Sequence, residues 1–209
     1  MGRYYVPLLL LLLNCTNSSK EETIKSDNVS GVTVPNKNAS EEFIDLDAAL
    51  IMHSDSVRKL YLGGSGLKSI PKVVFTFRNL KSLDIGRNRI DTIPSDISKL
   101  KYLEEFDVAY CGIKYFSSEI VKLKNLKYVN LLHNQLFILP TDFCKLESLF
   151  RLNLTGNNLS SLPECICDLT QLRFIRAGYA EGENHLDSSE YFRVKYCLPD
   201  CSIEIRKME

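Results

Sequence analysis

The sequence predicts an α/β solenoid, a right-handed superhelix with a concave parallel β-sheet of about seven strands and short helices on its convex side. Two observations predict it: the same apolar pattern recurs at one constant interval along the chain, and each copy contains a short stretch in which apolar and polar residues alternate. Such a strand buries one face, and stacked copies share one continuous core. The units begin at Val57, Leu80, Leu103, Leu126, Leu149 and Leu172.

Each unit follows one frame, most complete between Leu149 and Pro163, which reads L-x-x-L-x-L-x-x-N-x-L-x-x-L-P. This frame is the signature of a leucine-rich repeat. A side-chain amide at the Asn position can hydrogen-bond the turning backbone of adjacent coils. We expect Cys111 to break this ladder of amides and Ser65 to weaken it. The position holds Ser65, Asn88, Cys111, Asn134 and Asn157 in chain order.

The composition fits one soluble domain with an extension. The chain has 209 residues, and its 26 basic side chains balance its 26 acidic ones. Phosphate binding requires a concentrated basic surface, and the sequence contains none. A nucleic-acid partner is therefore not expected.

The first residues predict export. Residues 1–15 have the form of a signal peptide, because the apolar run from Val6 to Leu13 is far shorter than the roughly 20 residues that span a bilayer. Its end, Leu12-Leu13-Asn14-Cys15, resembles a bacterial lipobox, in which the cysteine is diacylated and becomes the new first residue. We therefore predict lipidation at Cys15, with an ordinary secretory cleavage nearby as the alternative.

The segments outside the coils predict a tether and two caps. Residues 16–40 are polar and aperiodic, as expected of a flexible tether. Residues 41–56 form an N-terminal capping helix, with Asp45 or Asp47 as its N-cap and His53 as a structural or exposed residue. The repeats occupy 57–180. In the C-terminal cap, 181–209, we expect a helix from Asp187 to about Cys197 and then a seventh strand.

The cysteines leave disulfide cross-links open and fit a metal site poorly. Without Cys15 six remain, an even number in an exported chain. Cys111 and Cys201 fall at core positions, where a thiol acts as a small apolar group. The favoured disulfide joins Cys165 or Cys167 to Cys197, and the full pairing of these three with Cys144 stays open. The spacing is poor for zinc, and we expect no metal and no cofactor.

The outward strand positions and their flanks form the candidate ligand-binding surface. The tyrosine and arginine residues there are of the types enriched in interface hot spots, and acidic residues in the middle give way to basic ones toward the C-terminal end. Paired Asp84 and Asp107 also allow a distant hydrolase alternative. The candidate residues are Lys59, Tyr61, Asp84, Arg87, Glu105, Asp107, Tyr110, Tyr128, Asn130, His133, Arg151, Asn153, Phe174, Arg176 and Tyr179.

From about Phe43 to Ile205 the chain resembles the 23-residue leucine-rich-repeat proteins of bacteria such as spirochaetes and Bacteroidetes, many of which are lipoproteins. The resemblance is carried by Asp45 to Leu50 with Val57 to Leu60, by the Leu-Pro repeats, and by the ending Leu198-Pro199-Asp200-Cys201. It implies a curved protein-recognition scaffold without catalysis.

Together these features predict a monomeric, lipid-anchored binder of a protein or glycan in the bacterial envelope, at the outer membrane or cell surface. The alternatives are a secreted or periplasmic inhibitor-type module and an envelope-structural protein.

Overall fold

A computed structural model of the chain describes residues 44–178, 186 and 188–204. The predicted signal peptide, Cys15, the tether, Tyr179 and Ile205 lie outside these residues. Within the described ranges, no helix is both long and apolar enough to cross a membrane.

Seven parallel strands form one sheet in sequence order, which confirms the predicted leucine-rich-repeat solenoid. Among the first six strands, neighbouring strands pair residues one repeat apart, so Leu60 lies beside Leu83 and Leu83 beside Phe106. These central side chains are buried and build the core. The strands are β1 Lys59–Tyr61, β2 Ser82–Asp84, β3 Glu105–Asp107, β4 Tyr128–Asn130, β5 Arg151–Asn153, β6 Phe174–Arg176 and β7 Ser202–Glu204.

The predicted helical turns between strands are short 3-10 helices. In a representative turn, Leu100 N donates to Ile97 O at 3.0 Å, the three-residue step that defines this helix type. Ile97, Ile120 and Ile166 point from three of these helices into the core. The five interstrand helices are Lys72–Thr76, Ser95–Lys99, Ser118–Lys122, Phe143–Lys145 and Glu164–Asp168.

A ladder of buried amides joins the coils. The Asn134 Nδ2 group donates to Val108 O at 2.9 Å and to Leu131 O at 3.0 Å. Its Oδ1 atom accepts from Cys111 N at 3.2 Å and from Ile113 N at 2.9 Å. Asn88 and Asn157 make bonds that correspond to three of these four, to two carbonyls and from one N–H group.

The prediction that Cys111 breaks this ladder needs a correction. Its thiol lies 3.2 Å from Ile85 O. That carbonyl is one repeat before Val108 O, to which Asn134 donates, so the thiol occupies the place of an amide donor. Burial raises the pKa of Cys111, which keeps the group protonated and able to donate. The ladder therefore continues through a weaker sulfur donor. Ser65 is exposed instead, and Asn88 Oδ1 accepts from Leu67 N at 2.9 Å in that first coil.

Each end of the solenoid carries a helix. Helix α1, Leu46–Ile51, begins after Asp45, whose Oδ1 accepts from Ala48 N at 2.8 Å, and this contact identifies Asp45 as the N-cap. Ile44 bridges Leu60 and so covers the outer edge of β1. Helix α2, Ser188–Cys197, precedes β7, as the sequence predicts.

Two disulfides cross-link the C-terminal part of the repeats. Cys167 bonds Cys197 and thereby holds α2 on the last coil, which is one of the two favoured pairings. Cys144 bonds Cys165 in the next coil, with Cα atoms 5.8 Å apart. Cys111 and Cys201 are free and buried, as the sequence predicts.

Candidate functional site

Two rows of side chains flank the buried central residue of each strand and run across the sheet. Within a row, neighbours are in register and about 4.8 Å apart. The first row is Lys59, Ser82, Glu105, Tyr128, Arg151, Phe174 and Ser202. The second row is Tyr61, Asp84, Asp107, Asn130, Asn153, Arg176 and Glu204.

The Asp and Asn residues of the second row end their strands. The Oδ1 atom of Asp84 accepts from Gly86 N at 2.8 Å, and that of Asp107 accepts from Ala109 N at 2.9 Å. Asn130 and Asn153 make the same bond to the backbone two residues ahead, at 3.2 Å. These are Asx turns, in which a short polar side chain holds its own backbone. Their residue type is therefore explained in part by structure.

Three carboxylates, Asp84, Glu105 and Asp107, form an acidic centre on β2 and β3. Glu105 accepts from the Ser82 hydroxyl and Asp107 from the Asn130 amide, both at 2.8 Å. No salt bridge between described residues involves any of the three. The pKa of Asp84 is raised, mainly by burial and further by the negative charge of Asp107. The hydrogen bond from Gly86 N–H and the positive charge of Arg87 lower the same pKa but do not cancel the rise.

A pocket of about 230 Å³ opens on the rows between β4 and β7. The Arg151 guanidinium carbon lies 4.7 Å from the centre of the Phe174 ring, a cation–π arrangement. Arg176 pairs with Glu204 through two contacts, Nε to Oε2 at 2.8 Å and an N–H of its terminal nitrogen to Oε1 at 3.2 Å. We call this site the C-terminal pocket, and its polar and aromatic lining includes Tyr128, Arg151, Phe174, Arg176, Ser202 and Glu204.

Three bulky residues form a ridge where the strands turn away from the sheet. Arg87, Tyr110 and His133 have positive φ angles of 57°, 56° and 50°, and the equivalent positions in the flanking coils are Gly64 and Gly156. A left-handed conformation costs a non-glycine residue about 1–2 kcal/mol. Backbone strain of this kind is concentrated at binding and catalytic sites.

The members of this edge ridge contact one another. The rings of Tyr110 and His133 stack with their centres 4.7 Å apart, and the Arg87 guanidinium lies 5.9 Å from the Tyr110 ring. The His133 ring covers Gly156, where an added Cβ would lie 2.6 Å from its Nδ1 atom. Tyr110 is 46% exposed, so the ridge offers a flat aromatic surface to a ligand.

The structure thus divides the predicted ligand-binding residues into groups. Asn130 is almost buried, with both amide atoms bonded inside the protein. Tyr61 folds over Gly63, and Lys59 is half-buried at the same end of the sheet. The sequence reasoning missed Ser202 and Glu204, because the step from β6 to β7 is longer than the repeat that separates the earlier strands.

The arrangement shows little that suits catalysis or metal binding. No group of three or more His, Cys, Asp or Glu side chains among the described residues could hold a metal ion. Asp84 and Asp107 each use an oxygen to hold a strand end, and neither lines the C-terminal pocket.

Comparison with known proteins agrees with this architecture. Models of the leucine-rich-repeat family match residues 55–113, 125–146 and 148–169. A search of curated proteins gave no significant match. The fold is therefore a leucine-rich-repeat solenoid, a class of scaffold that typically binds proteins without catalysis.

Several solved structures are similar. A leucine-rich-repeat protein of Leptospira interrogans is 27% identical, with a TM-score of 0.58 over 72% of this chain and 49% of that one. The plant peptide hormone receptor RGFR1, solved with RGF2, is 29% identical, with a TM-score of 0.54 over 62% of this chain and 21% of the receptor.

A third similar structure is the ectodomain of the Arabidopsis thaliana receptor kinase GASSHO1/SCHENGEN3, solved in complex with CASPARIAN STRIP INTEGRITY FACTOR 2. It is 26% identical, with a TM-score of 0.59 over 72% of this chain and 18% of that one. The chain spans half or less of the length of each of these three proteins.

Proposed function

We propose that this protein is a non-enzymatic scaffold that binds a protein ligand through its concave sheet face and the edge ridge, and that it is exported and lipid-anchored through Cys15. The observation that carries the binding proposal is the edge ridge. In three successive coils, a bulky residue has a backbone conformation that favours glycine. The side chains of these three residues contact one another at the surface.

The composition of the face supports the same proposal. Tyr110 and Phe174 are exposed aromatic residues, and Arg151 lies over one of them. Aromatic and arginine side chains dominate the energy of protein interfaces. Two of the similar solved proteins are plant receptors in complex with RGF2 and with CASPARIAN STRIP INTEGRITY FACTOR 2, which favours a protein or peptide ligand over a glycan.

The disulfides support export. Such bonds persist in oxidising compartments and are rare in the cytosol, and the described part of the chain contains two. With the lipobox-like end at Cys15, they favour a bacterial envelope protein at the outer membrane or cell surface. The mass of the N-terminal peptide from native membranes tests this. A start at Cys15 with acyl chains supports the anchor, and an unmodified start near Thr16 to Lys20 favours the secreted or periplasmic inhibitor module.

A paired substitution tests the binding face. Tyr110→Gly with Arg151→Ala removes two candidate contacts, and the glycine also relieves the positive φ angle of Tyr110. We expect proteins captured from native envelope extract by the parent to fall at least about tenfold, since hot-spot truncations each cost more than about 1 kcal/mol. The unfolding midpoint should not fall by a comparable amount, because neither side chain is part of the core.

Tyr102→Ala is the matched control, because Tyr102 is also an exposed aromatic residue (56%) but precedes β3, whereas the residues of the edge ridge follow their strands. Quantitative mass spectrometry compares the three captures. If the paired variant and the control retain the same proteins in the same amounts, the concave face is not the binding surface, and an envelope-structural role becomes the better proposal.

A further inference from the structure

We propose that the concave face selects a peptide in polyproline II conformation that carries a basic and an acidic side chain three positions apart. The basic group lies over the acidic centre, and the acidic group enters the C-terminal pocket at Arg151. This inference rests on the proposed function and adds to it the class of the ligand.

The two ends of the face differ in free charge. The acidic centre has three carboxylates whose described hydrogen-bond partners are neutral groups. The positive charge of Arg87 acts on one of them, Asp84, so the centre keeps a net negative charge. In the C-terminal pocket, Glu204 neutralises Arg176, whereas no salt bridge between described residues involves Arg151. The exposed Arg151 therefore remains as the cation of the pocket.

The register sets the distance between these charges. Glu105 on β3 and Arg151 on β5 belong to the first row and are both in register with Tyr128 on β4. Two strand spacings of about 4.8 Å separate them by roughly 10 Å. A ligand that crosses the strands along this row must present its two charges at that separation and on the same side.

Polyproline II geometry meets both conditions. It has three residues per turn and a rise of about 3.1 Å, so side chains i and i+3 share a face roughly 9 Å apart. In a β-strand, side chains three apart point to opposite faces, and those two apart are only about 6.8 Å from each other. A β-extended ligand would therefore fail to reach both sites.

The residue between the two charges also fits this ligand. Tyr128 is half-buried, and burial raises the pKa of its hydroxyl, so the ring is neutral at physiological pH. Polyproline II segments dock on aromatic surfaces of this kind, which contact the intervening residues. Phe174 extends the aromatic surface beyond Arg151 in the same row.

A displayed library of random nonapeptides tests the proposal against the full mature chain. We expect enrichment of Lys or Arg three positions from Asp or Glu, in either order, with proline favoured between them. Synthetic copies, acetylated and amidated to remove terminal charges, should bind at least about tenfold more tightly than copies with the charges two or four positions apart.

Arg151→Glu makes the test residue-specific. Its selected peptides should lose the acidic residue and gain a basic one at that position, and the peptide chosen by the parent should bind at least about tenfold less tightly. Lys101→Glu reverses one charge on an exposed side chain that precedes β3, outside the two rows, and should leave the selection unchanged.

Each alternative result has a definite meaning. Peptides that require Tyr110 and Arg151 but show no charge pair at this spacing would leave the proposed function standing and overturn the present inference. A library without any enriched peptide would also overturn it, while capture from envelope extract would still decide the proposed function separately.

Discussion

Replacement of one ladder amide, Asn134→Ala, measures how much the stack depends on its buried hydrogen bonds. Asn134 is 3% exposed, and its amide makes four close bonds, donating to Val108 O and Leu131 O and accepting from two backbone N–H groups. A longer contact joins its nitrogen to Leu132 O at 3.4 Å. Alanine removes the four close bonds in a space that solvent does not reach, and Leu131 O keeps the described bond from the Asn157 amide. At about 1 kcal/mol for each lost bond, the free energy of unfolding should fall by about 4 kcal/mol.

Urea unfolding followed by far-ultraviolet circular dichroism gives this value, with Asn125→Ala as the control. Asn125 is exposed, and the described bond of its side chain is the one to Lys101 O at 2.8 Å, so its loss should cost no more than about 1 kcal/mol. Equal losses in the two variants would refute the argument that the buried ladder holds the coils together. In the opposite direction, Cys111→Asn should raise stability, because an amide replaces the weak thiol donor.

Two further predictions concern the cross-links and the acidic centre. Cys167→Ser with Cys197→Ser should lower the free energy of unfolding by about 3.5 kcal/mol, the chain-entropy value for a closed loop of 30 residues; superimposed urea curves would contradict this. Asp84→Asn should stabilise the protein at neutral pH, because a raised pKa means that the ionised carboxylate of Asp84 destabilises the folded state. The asparagine can still hold the turn, since Asn130 makes the same bond to its own backbone. The gain in stability should vanish below pH 3.8, the ordinary pKa of an aspartate, because the carboxyl is then protonated in the folded and the unfolded state. A gain that persists there would show that unfavourable ionisation of Asp84 is not its cause.

The repeat period determined most of what could be predicted about the fold. Because side chains one repeat apart occupy the same place in successive coils, the positions of the first six strands and their register follow from one well-formed unit. The last strand was predicted from its own alternation. Its pairing of Arg176 with Glu204 was not, since that step is longer than the repeat.

The candidate site was predicted only in outline. A side-chain pattern identifies outward positions, but it does not show that Asp84 and Asp107 hold their own turns. The positive φ angles of the edge ridge had one visible signal, because glycine occupies the equivalent positions 64 and 156. The disulfide between Cys144 and Cys165 joins residues 21 apart, two fewer than the repeat, so the repeat frame gave no guide to it.

The disulfides also make resistance to local unfolding differ along the solenoid. A repeat protein opens one coil at a time when neighbouring coils are held only by local contacts. Among the described residues, both disulfides involve residues at or beyond Cys144. Unfolding that begins at the N-terminal end can therefore pass through the early coils before it reaches the first disulfide. The strands that carry Arg151 and Phe174 lie within this stapled part. The C-terminal half of the face can therefore stay folded while the early coils unfold, and it would then still present its part of the proposed binding surface.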